Sequence, residues 1–299
     1  MNEQVFSITV KDEMIYGIWS RPETVSAESG RTAVILLHGW GGYRTGPHDM
    51  LVKLARRLSG NGYDCFRFDF RGKGYSQGDR RQTGNRTMLE DLETVIPYVQ
   101  KQLHHPQIIL AGICSGARLA LYYARNGKYP VLHVIAMSSP LLRQQEMAST
   151  LAAGQSKNTL WTYLRKVFRK ETWLKLTGGE IHFRAVWKNL FRPVADLLLF
   201  SVRRRKKGKR KAKGRPIETK SSEVQPFGQL QGRLLLIHGE KDPETKPALS
   251  QIHAMLQRHH VSSDTHIVKE ANHSFYSLAW EKEILQVIED WLKIESRKQ

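Results

Sequence analysis

The sequence predicts an α/β fold, a mostly parallel, doubly wound sheet with an inserted helical cap, and three observations carry that prediction. Short apolar runs alternate with segments of helical spacing and end in glycine-rich loops, the pattern of parallel βαβ units. The alternation stops at Leu141 and resumes at Arg233, with a helix-like stretch rich in Trp and basic residues in between. One strand–turn–helix unit, Gln107 to Asn126, contains Gly112-Ile113-Cys114-Ser115-Gly116, the Gly-x-nucleophile-x-Gly spacing with cysteine at its centre.

The elements follow in order. Val5–Val10 and Met14–Ser20 read as strands joined by a Lys11-Asp12-Glu13 turn, a hairpin at the sheet edge. After the polar connection Arg21–Gly30, Thr32–Leu37 is continuously apolar, as a strand covered on both faces must be, and it runs into His38-Gly39-Trp40-Gly41-Gly42. Met50–Leu58 aligns Leu51, Leu54, Ala55 and Leu58 at helical spacing and stops at Gly60-Asn61-Gly62. Tyr63–Phe70 is the next strand, in which Cys65 reads as a small buried hydrophobe, and Arg71–Ser76 is the loop after it. Thr87–Leu103 has Leu89, Leu92, Val95, Ile96 and Val99 on one helical face. Beyond the Cys114 unit, Val131–Met137 is a strand ending in Ser138-Ser139-Pro140. After the interruption come a strand at Leu234–Ile237, a helix around Ala248–Gln257, a strand near Thr265–Val268 and a final helix at Lys282–Ile294. The core is therefore expected at 1–140 and 229–299, with the cap at 141–228.

Composition narrows the class. An apolar fraction of 40% is that of a chain able to bury a core rather than of a disordered one. No window approaches the roughly 18 apolar residues of a membrane span, and the start, MNEQVFSITVKDEM, has no basic n-region or apolar run of a secretory signal. With only Cys65 and Cys114 there is no disulfide framework, so a reducing, cytoplasmic setting is expected. The net charge of +19 is uneven: Leu141–Gly228 holds 21 Lys and Arg against 6 Asp and Glu, leaving only +4 for the rest.

A thiol nucleophile needs a base, and the base an orienting group. Strand Leu234–Ile237 leads into His238-Gly239-Glu240-Lys241-Asp242-Pro243, putting Asp242 where an orienting acid belongs. Strand Thr265–Val268 leads into Glu270-Ala271-Asn272-His273, putting His273 where the base belongs. All three positions fall at carboxyl ends of strands, where open α/β sheets build their sites. The backbone N–H groups of Trp40 and Ser115 are the expected oxyanion donors, and the helix N-terminus favours a thiolate at Cys114. His38 reads as a residue that shapes its loop. Taken singly, each part has an ordinary explanation: a packing turn, a turn aspartate before Pro243, one histidine among 12. Their joint order and placement make the case.

On these residues the chain resembles the α/β-hydrolase superfamily over 1–140 and 229–299, through His38–Gly42, Asp69-Phe70-Arg71-Gly72-Lys73-Gly74-Tyr75-Ser76, the Cys114 turn, Asp242 and His273. More narrowly it is similar to the exosortase A system-associated hydrolases of exopolysaccharide-producing bacteria, in its Gly-x-Cys-x-Gly-Ala turn at Gly112–Ala117 and in Trp173-Leu174-Lys175-Leu176 and Gly179-Glu180. Ser115 departs from that pattern, which has Asp after the cysteine. Dienelactone hydrolases similarly run this fold with a cysteine. The resemblance implies an esterase or thioesterase with an acyl-enzyme on Cys114, acting on a small-molecule acyl ester or thioester and linked to exopolysaccharide production. No cofactor and no metal are expected. Transfer of the acyl group to another acceptor is the runner-up, and a non-catalytic binding module is the third reading.

Within the interruption, Trp161, Tyr163, Leu164, Val167, Phe168, Trp173, Leu174 and Leu176 are spaced for an amphipathic helical cap. The stretch Val194–Val202 leads into Arg203–Arg215, with 10 Lys and Arg in 13 residues, a run dense enough to repel itself into disorder. A solvated loop, peripheral contact with an anionic membrane at its inner face, and an anionic polymer are all compatible with it. No aromatic residue interleaves the run, which argues against nucleic acid.

Overall fold

The apolar runs become strands of a single sheet in the computed structural model, which describes residues 2–23, 31–140 and 227–297. Among these residues the strands are β1 (Asn2–Val10), β2 (Glu13–Arg21), β3 (Thr32–Leu37), β4 (Asp64–Phe68), β5 (Gln107–Ile113), β6 (His133–Met137), β7 (Leu234–Gly239) and β8 (Ser263–Val268). The helices are α1 (Met50–Gly60), α2 (Asn85–Gln102), α3 (Ser115–Asn126), α4 (Thr245–Arg258) and α5 (Leu278–Ser296). The order across the sheet is β1-β2-β4-β3-β5-β6-β7-β8. β1 and β2 pair antiparallel, as do β2 and β4, and every later pair is parallel.

Burial explains the spelling of each strand. β6 and β7 are buried at every position and β3 at all but its first, so both of their faces must be apolar, whereas β1 at the edge alternates. One face is covered by α2, α3 and α4 through residues such as Leu92, Ile96, Leu119 and Ile252. The other is covered by α1 and α5 through Leu51, Leu54, Ile288 and Trp291. This is a doubly wound sheet, and its connections bring the carboxyl ends of β3 to β8 to one rim.

Several element ends shift by a few residues from the sequence reading, and three differences are instructive. The hairpin turn is the pair Lys11-Asp12, at φ 49° and 66°, and Glu13 already belongs to β2. Two residues of positive φ match the right-handed twist of the flanking strands, which a three-residue turn need not. Val131 makes only an isolated bridge to Leu230, so the strand expected from Val131 starts at His133. Phe227, read as cap, is buried in the core cluster under Arg125.

By its contacts the chain divides into Met1–Ala152 with Glu223–Gln299, and Ala153–Ser222. Apart from Phe227 and Gly228, the expected cap, its aromatic residues and the basic run Arg203–Arg215 lie outside the described residues. Among the described residues no helix is long and apolar enough to cross a membrane.

Candidate active site

The turn between β5 and α3 holds Cys114 at φ 55° and ψ −121°, a conformation L-residues rarely adopt and one that surrounding structure must impose. The Cys114 N–H donates to the Met137 carbonyl at 2.9 Å, and its own carbonyl accepts from Arg118 N–H at 3.1 Å. The flanking glycines explain the tight packing. A Cβ on Gly116 would stand 2.2 Å from the Leu37 carbonyl oxygen, and one on Gly112 would stand 2.4 Å from Gly116 itself. The end of β3 and the start of α3 approach that closely only because neither glycine has a side chain. The thiol is left half-buried at the N-terminus of α3.

The loops after β7 and β8 are laced together. Glu240 N–H donates to Val268 O at 3.0 Å and Lys241 N–H to Ala271 O at 2.9 Å. A Cβ on Gly239 would meet the Ala271 carbonyl at 2.5 Å, so this crossing too requires glycine. The lacing brings His273 to Asp242, with Nδ1 to Oδ2 at 2.7 Å, and the other oxygen of Asp242 accepts from Glu244 N–H at 3.0 Å. Asp242 is buried, while the His273 side chain is about a third exposed at 36%. With Nδ1–H held by the carboxylate, Nε2 is left for the sulfur. The nearby Cys114 is the largest influence on the imidazole; burial opposes it, Asp242 adds to it, and the net result raises the pKa to about 9. The structure thus pairs His273 with Asp242 by a hydrogen bond, and Cys114 acts on the same imidazole from the neighbouring turn.

The two expected oxyanion donors also meet, with a difference. Trp40 N–H donates to the Ser115 hydroxyl at 2.5 Å. Until that hydroxyl turns aside, one of the two N–H groups is already satisfied. Nothing in the sequence signals this contact, which joins residues 75 positions apart.

Further residues hold the rim in place. His38 is buried; its Nε2 accepts from Phe70 N–H at 3.3 Å and its Nδ1 lies 2.8 Å from Gly39 O. Burial lowers its pKa and keeps it neutral, as loop-shaping requires. Asp69 accepts from Arg44 N–H at 2.7 Å and Tyr75 N–H at 3.1 Å and pairs with the Arg44 guanidinium, tying the loop after β3 to the loop after β4. His238, at the end of β7, is buried with neither ring nitrogen hydrogen-bonded, and burial pushes its pKa down to about 4. It is a neutral packing residue beside Asp242. Among the described residues no cluster of His, Cys, Asp and Glu is placed to hold a metal ion.

A family model described as the alpha/beta hydrolase fold matches residues 32–278. No curated protein sequence matches. Among similar solved structures is an alpha-beta serine hydrolase homologue from Coxiella burnetii, 17% identical, with a TM-score of 0.58 and 96% of each chain covered. An esterase from Pyrococcus furiosus is 18% identical, with a TM-score of 0.58 over 98% of this chain and 91% of the esterase. A dienelactone hydrolase from Anabaena variabilis is 13% identical, with a TM-score of 0.57 over 98% of this chain and 97% of that one. At these identities the likeness is one of fold.

Proposed function

Since the chain belongs to the alpha/beta hydrolase family, we propose that it cleaves an ester or thioester through an acyl-enzyme on Cys114. The Cys114 thiolate attacks the carbonyl carbon, and the oxygen that becomes negative accepts hydrogen bonds from Trp40 and Ser115 N–H. The tetrahedral intermediate collapses, breaking the carbon–leaving-group bond, and the His273 imidazolium protonates the departing alkoxide or thiolate. Neutral His273 then takes a proton from water, the resulting hydroxide attacks the thioester, and Cys114 leaves as thiolate. Asp242 keeps the imidazole in the tautomer that faces the sulfur. The observation that supports this most is the 2.7 Å contact of His273 with buried Asp242, beside the strained turn that carries Cys114.

The test is intact mass after incubation with S-hexanoyl-N-acetylcysteamine. The chain is expected to gain one hexanoyl group and lose it on standing, and Cys114→Ala to gain none. An adduct or full turnover in Cys114→Ala overturns the reading.

Cysteine favours one variation. The acyl-enzyme is a thioester, an activated acyl group whose thiolate leaves readily, so an acceptor hydroxyl can compete with water for it. The similarity of Gly112–Ala117 to the exosortase A system-associated hydrolases supports a setting in exopolysaccharide production, with a sugar hydroxyl as such an acceptor. The charge of Arg203–Arg215 supports peripheral attachment to an anionic membrane, tested by salt-sensitive co-sedimentation with phosphatidylglycerol vesicles. The hydrogen-bonded His273–Asp242 pair near the strained Cys114 turn argues against a binding module with no chemistry.

A further inference from the structure

Three Lys and Arg side chains are buried among the described residues: Arg67, Arg71 and Lys73. Arg67 reaches Glu3 at 3.1 Å and Arg71 reaches Asp91 at 2.5 Å. Lys73, only 5% exposed, reaches no carboxylate, and its Nζ instead stands 4.6 Å from the centroid of the Trp40 indole. Arg80, exposed and likewise without an acid partner, has its backbone 2.9 Å from where a Cβ on Gly72 would stand and adds a like charge acting on Lys73. An ammonium largely taken out of water without a counter-ion is costly, and an indole face offsets only part of that cost. Burial and Arg80 both push the Lys73 pKa down, which an arriving anion would reverse.

The place of this cation matters. Trp40 belongs to the loop whose N–H meets Ser115 next to Cys114, and a Cβ on Gly39 would lie 3.2 Å from Cys114 Cβ. The charge therefore lies against the loop that borders Cys114, and the Trp40 indole it rests on is 44% exposed. Other cations near the same rim are already committed: Arg44 to Asp69, and Arg71 to Asp91 and Glu90.

We propose that Lys73, seated on Trp40 with Arg80 beside it, binds an anionic group of the substrate, a carboxylate or a phosphate, while Cys114 attacks its acyl carbon. This rests on the reading of Cys114 as the nucleophile and adds to it a substrate class. A carboxylate would come from the far end of the acyl chain, a phosphate from the leaving group.

Two matched pairs of thioesters separate these sources. S-adipyl- and S-hexanoyl-N-acetylcysteamine differ by a terminal carboxylate, and S-hexanoyl-4′-phosphopantetheine and S-hexanoylpantetheine differ by a phosphate. The full chain is expected to favour the charged member of one pair by about tenfold or more in kcat/KM, the scale of a charge-assisted contact. In Lys73→Met that ratio falls to about one, in Lys73→Arg most of it survives, and in Arg80→Gln part of it is lost. Wild-type ratios near one for both pairs overturn the proposal, without reliance on any variant, and so does a preference that survives Lys73→Met. If the chain turns over none of the four, the reading of Cys114 fails on its own. Calorimetric titration with 4′-phosphopantetheine and with adipate then decides the anion site: binding lost in Lys73→Met supports it, and no binding of either overturns it.

Discussion

Cys65 and Cys114 belong to strands on either side of β3, and the two regions put the same thiol to opposite ends. Cys65 lies inside β4, where the ladder continues past it to β2 and β3. It is fully buried, its Sγ has only the Tyr63 carbonyl at 3.8 Å, and burial pushes its pKa far up. Cys114 stands one residue past the end of β5, at positive φ, half-exposed and beside His273. The local spelling differs mainly in two glycines. Where a strand continues, a cysteine becomes core; where a strand ends between glycines at a rim of loops, it meets a base and solvent.

The largest effect expected from this contrast is on chemistry. Cys114→Ala should lower kcat by about 10⁴-fold or more, as loss of a nucleophile does elsewhere, while brief iodoacetamide treatment of the folded chain should label Cys114 and spare Cys65. Labelling of both thiols at equal rates, read by peptide mass, breaks the comparison.

Next in size is the titration of His273. Its pKa of about 9 depends first on Cys114, so in Cys114→Ala the imidazole signal followed by NMR should move down toward the usual value near ~6.5. The folded pKa is raised, so the associated stability is present in full below about pH 6.5 and is lost as pH rises through about 9. Denaturant unfolding at about pH 6 and about pH 10 should show this loss in the wild type and much less of it in Cys114→Ala. An unchanged titration in the variant would mean that the sulfur is not the partner of His273.

A smaller effect sits at Ser115. Its hydroxyl occupies the Trp40 N–H, which the proposed mechanism assigns to the substrate oxygen, so Ser115→Ala should raise kcat/KM by about 2- to 10-fold, the worth of one net hydrogen bond. A fall of that size would show instead that the hydroxyl assists the reaction. The smallest effect on activity belongs to Cys65→Ser. It should cost roughly 1–3 kcal/mol of stability, because a hydroxyl there lacks a good partner, and leave kcat/KM unchanged in the fraction that remains folded.

Much of this was legible residue by residue. Continuous apolar runs located β3, β6 and β7, and the glycines around Cys114 located the turn, because periodicity and backbone freedom are properties of neighbours in sequence. Asp242 and His273 were legible as positions after strands. The pairing was expected from that order, but the close crossing of the two loops at Gly239, where a Cβ would meet the Ala271 carbonyl at 2.5 Å, was not. Ser115 on the Trp40 N–H, His38 under Phe70 and Lys73 on the Trp40 ring left no trace in local pattern. Each of these joins groups more than 30 residues apart through a single polar or ring contact, and such contacts are fixed by strand register rather than by composition. The order of strands and the site of the strained turn are therefore written in the chain as sequence. Which hydroxyl meets the Trp40 N–H, and which lysine is left without an acid, emerge only when the sheet closes and brings the ends of its strands to one rim.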